Sequence, residues 1–225
     1  VHHLRLSGLC VSLPVQTSLT VAPVDTPATP DRSADPSDPD PRDSHLIEHK
    51  LASEELLQGH FLHAFRDTVR LPDGREASRE YVRHPGAVMI IAQLGDGRLV
   101  LERQYRYPVQ AVMIEFPAGK LDAGEASLAC AQRELLEETG YSAASWARAG
   151  VLHPVISYST EFIDIWFAKD LSPGERKLDA GEFLDVFTAT PAELLQWCRD
   201  GRITDAKTLT GALWLPNVLS GAWPL

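Results

Sequence analysis

The sequence has little of what marks several large protein classes. Three cysteines occur in 225 residues, Cys10, Cys130 and Cys198, and none has the spacing of a zinc or redox motif. That excludes a disulfide-built scaffold and fits a reduced, cytoplasmic setting. No apolar run approaches the roughly 20 residues of a membrane span, so no membrane association is expected. The first twenty residues are mildly apolar, but Arg5, Gly8 and Pro14 interrupt any secretory-signal core. Basic residues are in deficit, 21 Lys and Arg against 31 Asp and Glu, a net charge of −10. Such a chain offers no positive field to draw nucleic acid. No internal repeat is visible.

What is present reads as a globular chain with an appended tail. Hydrophobic residues make up 44% of the sequence, enough for one sizeable core and a small accessory unit. Residues 1–43 hold seven of the sixteen prolines, six aspartates and no Phe, Tyr or Trp, the composition of a disordered segment. The tail is either an extension without consequence or a regulatory element. Residues 44–85 form a small β unit with strands over 46–51, 60–71 and 75–83 and a Pro72-Asp73-Gly74 turn. Three strands bury too little to stand alone, so this unit needs another surface. From residue 86 to 225 a larger unit is expected. Its first strand, 87–94, returns as a hairpin through Gly95-Asp96-Gly97 into 98–106, and 111–116 follows. Strands over 146–153, 161–169 and 182–187 and helices over 191–199 and 204–220 complete an α/β (α+β) sandwich, a mixed sheet flanked by helices.

The most informative segment runs from Gly119 to Tyr141, GKLDAGEASLACAQRELLEETGY. Residues 126–139 contain no Gly or Pro, and Leu128, Ala131 and Leu135 recur at helical spacing, so an amphipathic helix ending at Gly140 is expected. Glu134, Glu137 and Glu138 then share one side of that helix. Like charges in adjacent turns repel by a few tenths of a kcal/mol per pair, which calls for a compensating cation. Mg²⁺ or Mn²⁺ suits a carboxylate set. Arg133 can pair with Glu137 one turn on, leaving Glu134 and Glu138 as ligands. Three glutamates alone would read as a solvated helix face. Gly119, Glu125 and Arg133 in register reverse that reading.

Gly119, Glu125, Arg133, Glu134, Glu137, Glu138 and Gly140 fit G-x5-E-x7-R-E-U-x-E-E-x-G-U, where U is a bulky aliphatic residue and Tyr141 departs from the last position. This segment resembles the Nudix hydrolases. Glu115-Phe116-Pro117-Ala118-Gly119-Lys120, and Arg103 to Pro108 before it, look like the ADP-ribose pyrophosphatase branch, a likeness that covers about residues 45–220. The resemblance implies metal ligation by Glu134, Glu138 and the Ala118 carbonyl, and diphosphate contact by Arg106. It also implies a loop glutamate, Glu161, as catalytic base or holder of a further metal, with Glu137 as the alternative base. Glu125 and Arg133 would support the site by pairing. Glu115 is balanced between a substrate contact and a structural hydrogen bond. One departure loosens the substrate: Ile156 stands where the branch carries proline, within Pro154-Val155-Ile156-Ser157-Tyr158-Ser159-Thr160-Glu161.

The expected substrate is a nucleoside diphosphate linked to a second group, foremost ADP-ribose, giving AMP and ribose 5-phosphate. Hydrolysis of another nucleotide sugar or dinucleotide such as GDP-mannose, and a non-catalytic ADP-ribose sensor, are the alternatives. By the same resemblance the protein is a homodimer joined through its N-terminal strands.

Overall fold

The computed structural model describes residues 40–223; the tail reading, and with it Cys10, falls largely outside the described residues. Three β-sheets and three α-helices follow a short 3-10 turn at Pro41–Leu46. The first sheet is an antiparallel meander of β1 (His49–Gln58), β2 (His63–Arg70) and β3 (Glu76–Arg83). β2 alternates, turning Phe65, Asp67 and Val69 inward, and Phe65 stacks on Tyr81 at 5.7 Å between ring centres. β1 starts later and runs longer than its sequence implies, because Leu46 belongs to the 3-10 turn. Every residue of β1 is exposed, including Leu51, Leu56 and Leu57.

The larger unit is built on two further sheets. One has the order β7 (Ala118–Lys120), β4 (Ala87–Ala92), β9 (Ile163–Pro173), β8 (Tyr141–Leu152), with β4 and β9 parallel and the other pairs antiparallel. The other is antiparallel, β10 (Leu184–Ala189), β5 (Leu99–Arg106), β6 (Ala111–Glu115). β4 is buried at all six positions, and its alternation explains why. Val88, Ile90 and Ala92 meet Cys130, Ala131 and Leu135 of α1 (Ser127–Thr139). Met89 and Ile91 meet Leu194 of α2 (Pro191–Arg199) and Ala212 and Leu215 of α3 (Ala206–Leu219). A strand covered on both faces reads as a continuous apolar run, and helices on both faces make this an α/β/α sandwich.

Three expectations change. The strands 87–94 and 98–106 do not form a hairpin ladder; a single bridge between Gln93 and Leu99 joins them. Both edges of β4 are already occupied by β7 and β9, so β5 leaves to pair with β6 and β10. The residues after Phe116, where no strand is expected, include the short strand β7, and β8 begins at Tyr141 directly after α1 rather than near 146. Small residues at 142–145 hide that strand from a pattern search.

Candidate active site

α1 carries most of the chemistry, and its ends are defined by local physics. Gly140 at its C-cap has φ 75°, the left-handed turn that favours glycine, and its N–H donates to the Leu136 carbonyl at 2.9 Å. The side chain of Trp166 on β9 donates to Ser127 Oγ at 2.8 Å, tying the first turn to the sheet. β7 passes so close to α1 that a Cβ on Gly119 would overlap the Glu134 carboxylate. Only glycine lets the strand and that carboxylate lie side by side.

Arg133 serves as the hub of the helix face. It donates to Glu125 through Nε (2.9 Å) and Nη2 (2.8 Å), to Glu134 and Glu137 through Nη1 (2.8 and 3.1 Å), and to the Lys120 carbonyl (3.2 Å). The expected pairing with Glu137 is present, but Glu134 is not left unpaired, because one guanidinium has five donors and can serve three carboxylates. Its hydrogen bonds pull the Glu125 carboxyl down to about 2 and raise the guanidinium in turn.

Glu138 differs from its neighbours. It is 3% exposed and accepts the Ala118 N–H at 3.0 Å. Burial first, then the charges of Glu102, Glu134 and Glu182, push its carboxyl up to about 10. Glu134 is also raised, by burial that Arg133 only partly offsets. Glu115 has the opposite fate. Burial would raise it, but Arg106 donates both Nε (2.7 Å) and Nη2 (2.8 Å) and Lys207 adds its ammonium, so it is held below the ordinary range. With both oxygens taken, Glu115 acts on its surroundings by fixing Arg106 and Lys207.

These groups line one cavity of about 940 Å³, with Arg106, Glu115, Ala118, Gly119, Glu134, Glu137, Glu138 and Glu161 all on its surface. Glu125, Arg133 and Gly140 lie outside the lining and brace α1 instead. The cavity also takes in residues that sequence reading did not single out: Phe61, His84, Gln104, Asp179, Glu182 and Lys207. Glu102 lies behind it, fully buried, with neither carboxylate oxygen hydrogen-bonded by a described residue; burial and Glu115 push it up to about 8. Its signal was a charge directly following the buried run Leu99-Val100-Leu101. Nothing local ties Lys207 to Glu115, 92 residues away.

The donor set fits a hard divalent cation. Glu134, Glu138 and a backbone carbonyl supply oxygens, and a cation would let the buried carboxyls that burial and mutual repulsion hold above the ordinary range give up their protons. Among the described residues no three acidic, His or Cys side chains are already gathered as a ligand cage. Arg133 holds Oε1 of Glu134 and the Ala118 amide holds Oε2 of Glu138, which leaves the other oxygen of each carboxyl free of those bonds for ligation. Among the described residues no helix is long and apolar enough to cross a membrane.

Comparison with known proteins bears on the fold and the family. Residues 82–210 match the family described as the NUDIX domain, and residues 48–82 match the nucleoside diphosphate sugar hydrolase N-terminal domain. The chain is 34% identical over 165 residues to the ADP-ribose pyrophosphatase of Bacillus subtilis, covering 72% of this chain and 89% of that protein. It is 38% identical over 175 residues to the methanol dehydrogenase activator of Bacillus methanolicus, covering 76% and 94%. The crystal structure of an ADP compounds hydrolase superposes with a TM-score of 0.72 at 24% identity, over 80% of this chain and 98% of that one, a likeness of fold.

Proposed function

This chain belongs to the Nudix hydrolase family, and we propose that it hydrolyses the diphosphate of a nucleotide sugar, with ADP-ribose as substrate and AMP and ribose 5-phosphate as products. The observation that carries the reading is the convergence on one cavity of the α1 carboxylates and a buried Glu115 that presents Arg106 and Lys207. Relatives of known name support it. Besides the Bacillus subtilis protein, an ADP-ribose pyrophosphatase of Mycobacterium tuberculosis is 33% identical over 76% of this chain.

In this reading Glu134, Glu138 and the Ala118 carbonyl would hold the divalent cation, Mg²⁺ or Mn²⁺. Such an ion neutralises charge on the diphosphate and makes water nucleophilic near neutral pH. Arg106 grips non-bridging oxygens with its planar fork, pre-aimed by Glu115. Glu161 accepts the water's proton, with Glu137, already bonded to Arg133, as the alternative base. Glu125 and Arg133 keep α1 and the preceding loop in register. The exposed β1 face, with Leu51, Leu56 and Leu57, is the surface through which two copies pair as a homodimer. The setting is cytoplasmic, in keeping with the free thiols of Cys130 and Cys198.

Incubation of the purified chain with ADP-ribose, GDP-mannose and dinucleotides, with and without Mg²⁺, and chromatography of the products tests the proposal. Cation-dependent release of AMP from ADP-ribose is expected. GMP released preferentially from GDP-mannose would support the alternative favoured by relatives called GDP-mannose pyrophosphatase, 26–27% identical. Binding of ADP-ribose with no turnover of anything would mark a sensor and overturn the enzymatic reading.

A further inference from the structure

The mechanism above gives no task to His84, whose side chain is only 9% exposed yet reaches the cavity. His84 follows β3 directly, and its backbone is stitched to the loop that carries Glu161. Its N–H donates to Thr160 Oγ1 at 2.9 Å, and that hydroxyl donates back to the His84 carbonyl at 3.4 Å. Two residues earlier, Val82 donates to the Tyr158 carbonyl (2.8 Å) and accepts the Thr160 N–H (3.0 Å), a parallel bridge that lays the loop along the edge of the N-terminal sheet. A Ser159 hydroxyl accepting the Glu161 N–H at 3.1 Å tightens the turn.

The imidazole is fixed on its other side. Nδ1 accepts the Gly86 N–H at 3.1 Å, so the neutral ring carries its proton on Nε2. Burial, with Lys120 adding to it against the pull of Glu161, lowers the ring below the ordinary histidine range and keeps it neutral. Phe61 meets the ring edge-on, 5.4 Å between centres at 89°, and restricts its rotation. Nε2 lies 3.8 Å from Glu161 Oε1. That is too long for a hydrogen bond, but a small turn of the glutamate closes it, as catalytic contacts commonly tighten when substrate binds. A histidine satisfied only as packing would need no second nitrogen aimed at a carboxylate.

We propose that His84 is a positioning residue for Glu161: its Nε2–H holds one carboxylate oxygen so that the other faces the reacting water, while β3 anchors the loop. This rests on the reading of Glu161 as the proton acceptor. Asparagine places its side-chain oxygen where Nδ1 sits and keeps the Gly86 bond but not the distal donor, whereas glutamine places an N–H where Nε2 sits. Full-length His84→Asn, His84→Gln, Glu161→Gln and the His84→Asn/Glu161→Gln double variant are assayed for kcat and KM on ADP-ribose with Mg²⁺, well below each melting temperature. Expected are a kcat loss of about 10- to 100-fold in His84→Asn with KM nearly unchanged, recovery of most of it in His84→Gln, and no further loss in the double variant beyond Glu161→Gln alone. Equal losses in Asn and Gln, an effect confined to KM, or losses that multiply in the double variant would overturn the proposal. Parental kcat in Glu161→Gln would instead remove the base assignment itself, a different failure. Where His84→Asn does not fold, His84→Leu, which fills the space without either ring hydrogen bond, takes its place in the cycle.

Discussion

Replacing Glu138 by glutamine should leave the metal-free protein no less stable than before, and more stable at neutral pH, while removing its response to divalent cations. The structure makes the two halves separable. With its carboxyl pushed up to about 10 by burial and neighbouring carboxylates, Glu138 is protonated at pH 7 in the absence of a cation. Glutamine is then close to an isostere, and its oxygen can still accept the Ala118 N–H that Glu138 accepts at 3.0 Å. The expected change in metal-free stability is within about 0.5 kcal/mol below about pH 4.5, where Glu138 is protonated folded or unfolded, and a net gain at higher pH, where only the parent must take up a proton on folding. The sign of the pH dependence follows. A group held above its ordinary 4.5 adds stability that is fully present below that value and is lost as pH climbs toward about 10. The parent should therefore lose stability through that window by up to about 1.4 kcal/mol per pH unit, and Glu138→Gln should flatten the slope.

With Mg²⁺ present the comparison reverses. A cation at about 100 times its dissociation constant stabilises the fold by about 2.7 kcal/mol, and for a chain of this size each kcal/mol moves the melting temperature by about 2–4 °C. The parent should gain roughly 5–10 °C at pH 8, and Glu138→Gln should lose most of that gain together with about 10²-fold or more of turnover. Thermal melts with and without Mg²⁺ across pH 5–9, beside steady-state kinetics, decide the matter. A variant that keeps the parental Mg²⁺ shift and turnover would refute the assignment of Glu138 as a ligand. A variant that unfolds without metal would refute the claim that it is neutral there.

Gly119→Ala should cost activity more than stability, because the added Cβ meets the movable end of Glu134 rather than backbone; expect a small fall in melting temperature and at least about a tenfold loss of kcat, and reject the close-approach argument if kinetics are parental. Arg133→Met frees Glu125 from the bond that holds it at about 2; since a depressed carboxylate contributes above its ordinary pKa and loses that contribution as pH falls through the folded value, the parent's stability advantage over the variant should be full above about pH 4.5 and shrink toward about pH 2, as followed by circular dichroism. Light scattering at micromolar concentration should give twice the chain mass, and a monomer would remove the role given to the β1 face.

Sequence showed much of this because the decisive elements are local. α1 is legible from a run without Gly or Pro and from three glutamates three and four apart, and both the helix and its Gly140 cap are where the pattern puts them. β4 is legible as an apolar run because both its faces are covered. What stayed hidden depends on contacts between distant positions. No local pattern says that Arg133 serves Glu134 as well as Glu137, that Lys207 reaches Glu115, or that the loop before Glu161 lies along β3. Pairing competition on β4 could not be read either, since it depends on which strands arrive at its edges.

The charge distribution explains why an acidic protein can still take an anionic substrate. Eight acidic side chains, Glu115, Glu134, Glu137, Glu138, Glu161, Asp179, Glu182 and Asp205, line the cavity with only three basic ones, Arg106, Lys120 and Lys207. Two of those cations are spent on Glu115, and Lys120 sits over the Phe61 ring at 4.3 Å. At an effective dielectric of about 20, two like charges 4 Å apart repel by about 4 kcal/mol. A diphosphate entering this cavity alone would meet uncompensated carboxylates, so binding and a bound cation must be coupled. Calorimetry with a non-hydrolysable ADP-ribose analogue should accordingly detect tight binding only when Mg²⁺ is present. Equal affinity without the cation would mean that Arg106 and Lys207 leave Glu115 for the phosphates, and the carboxylates of α1 would then need another explanation.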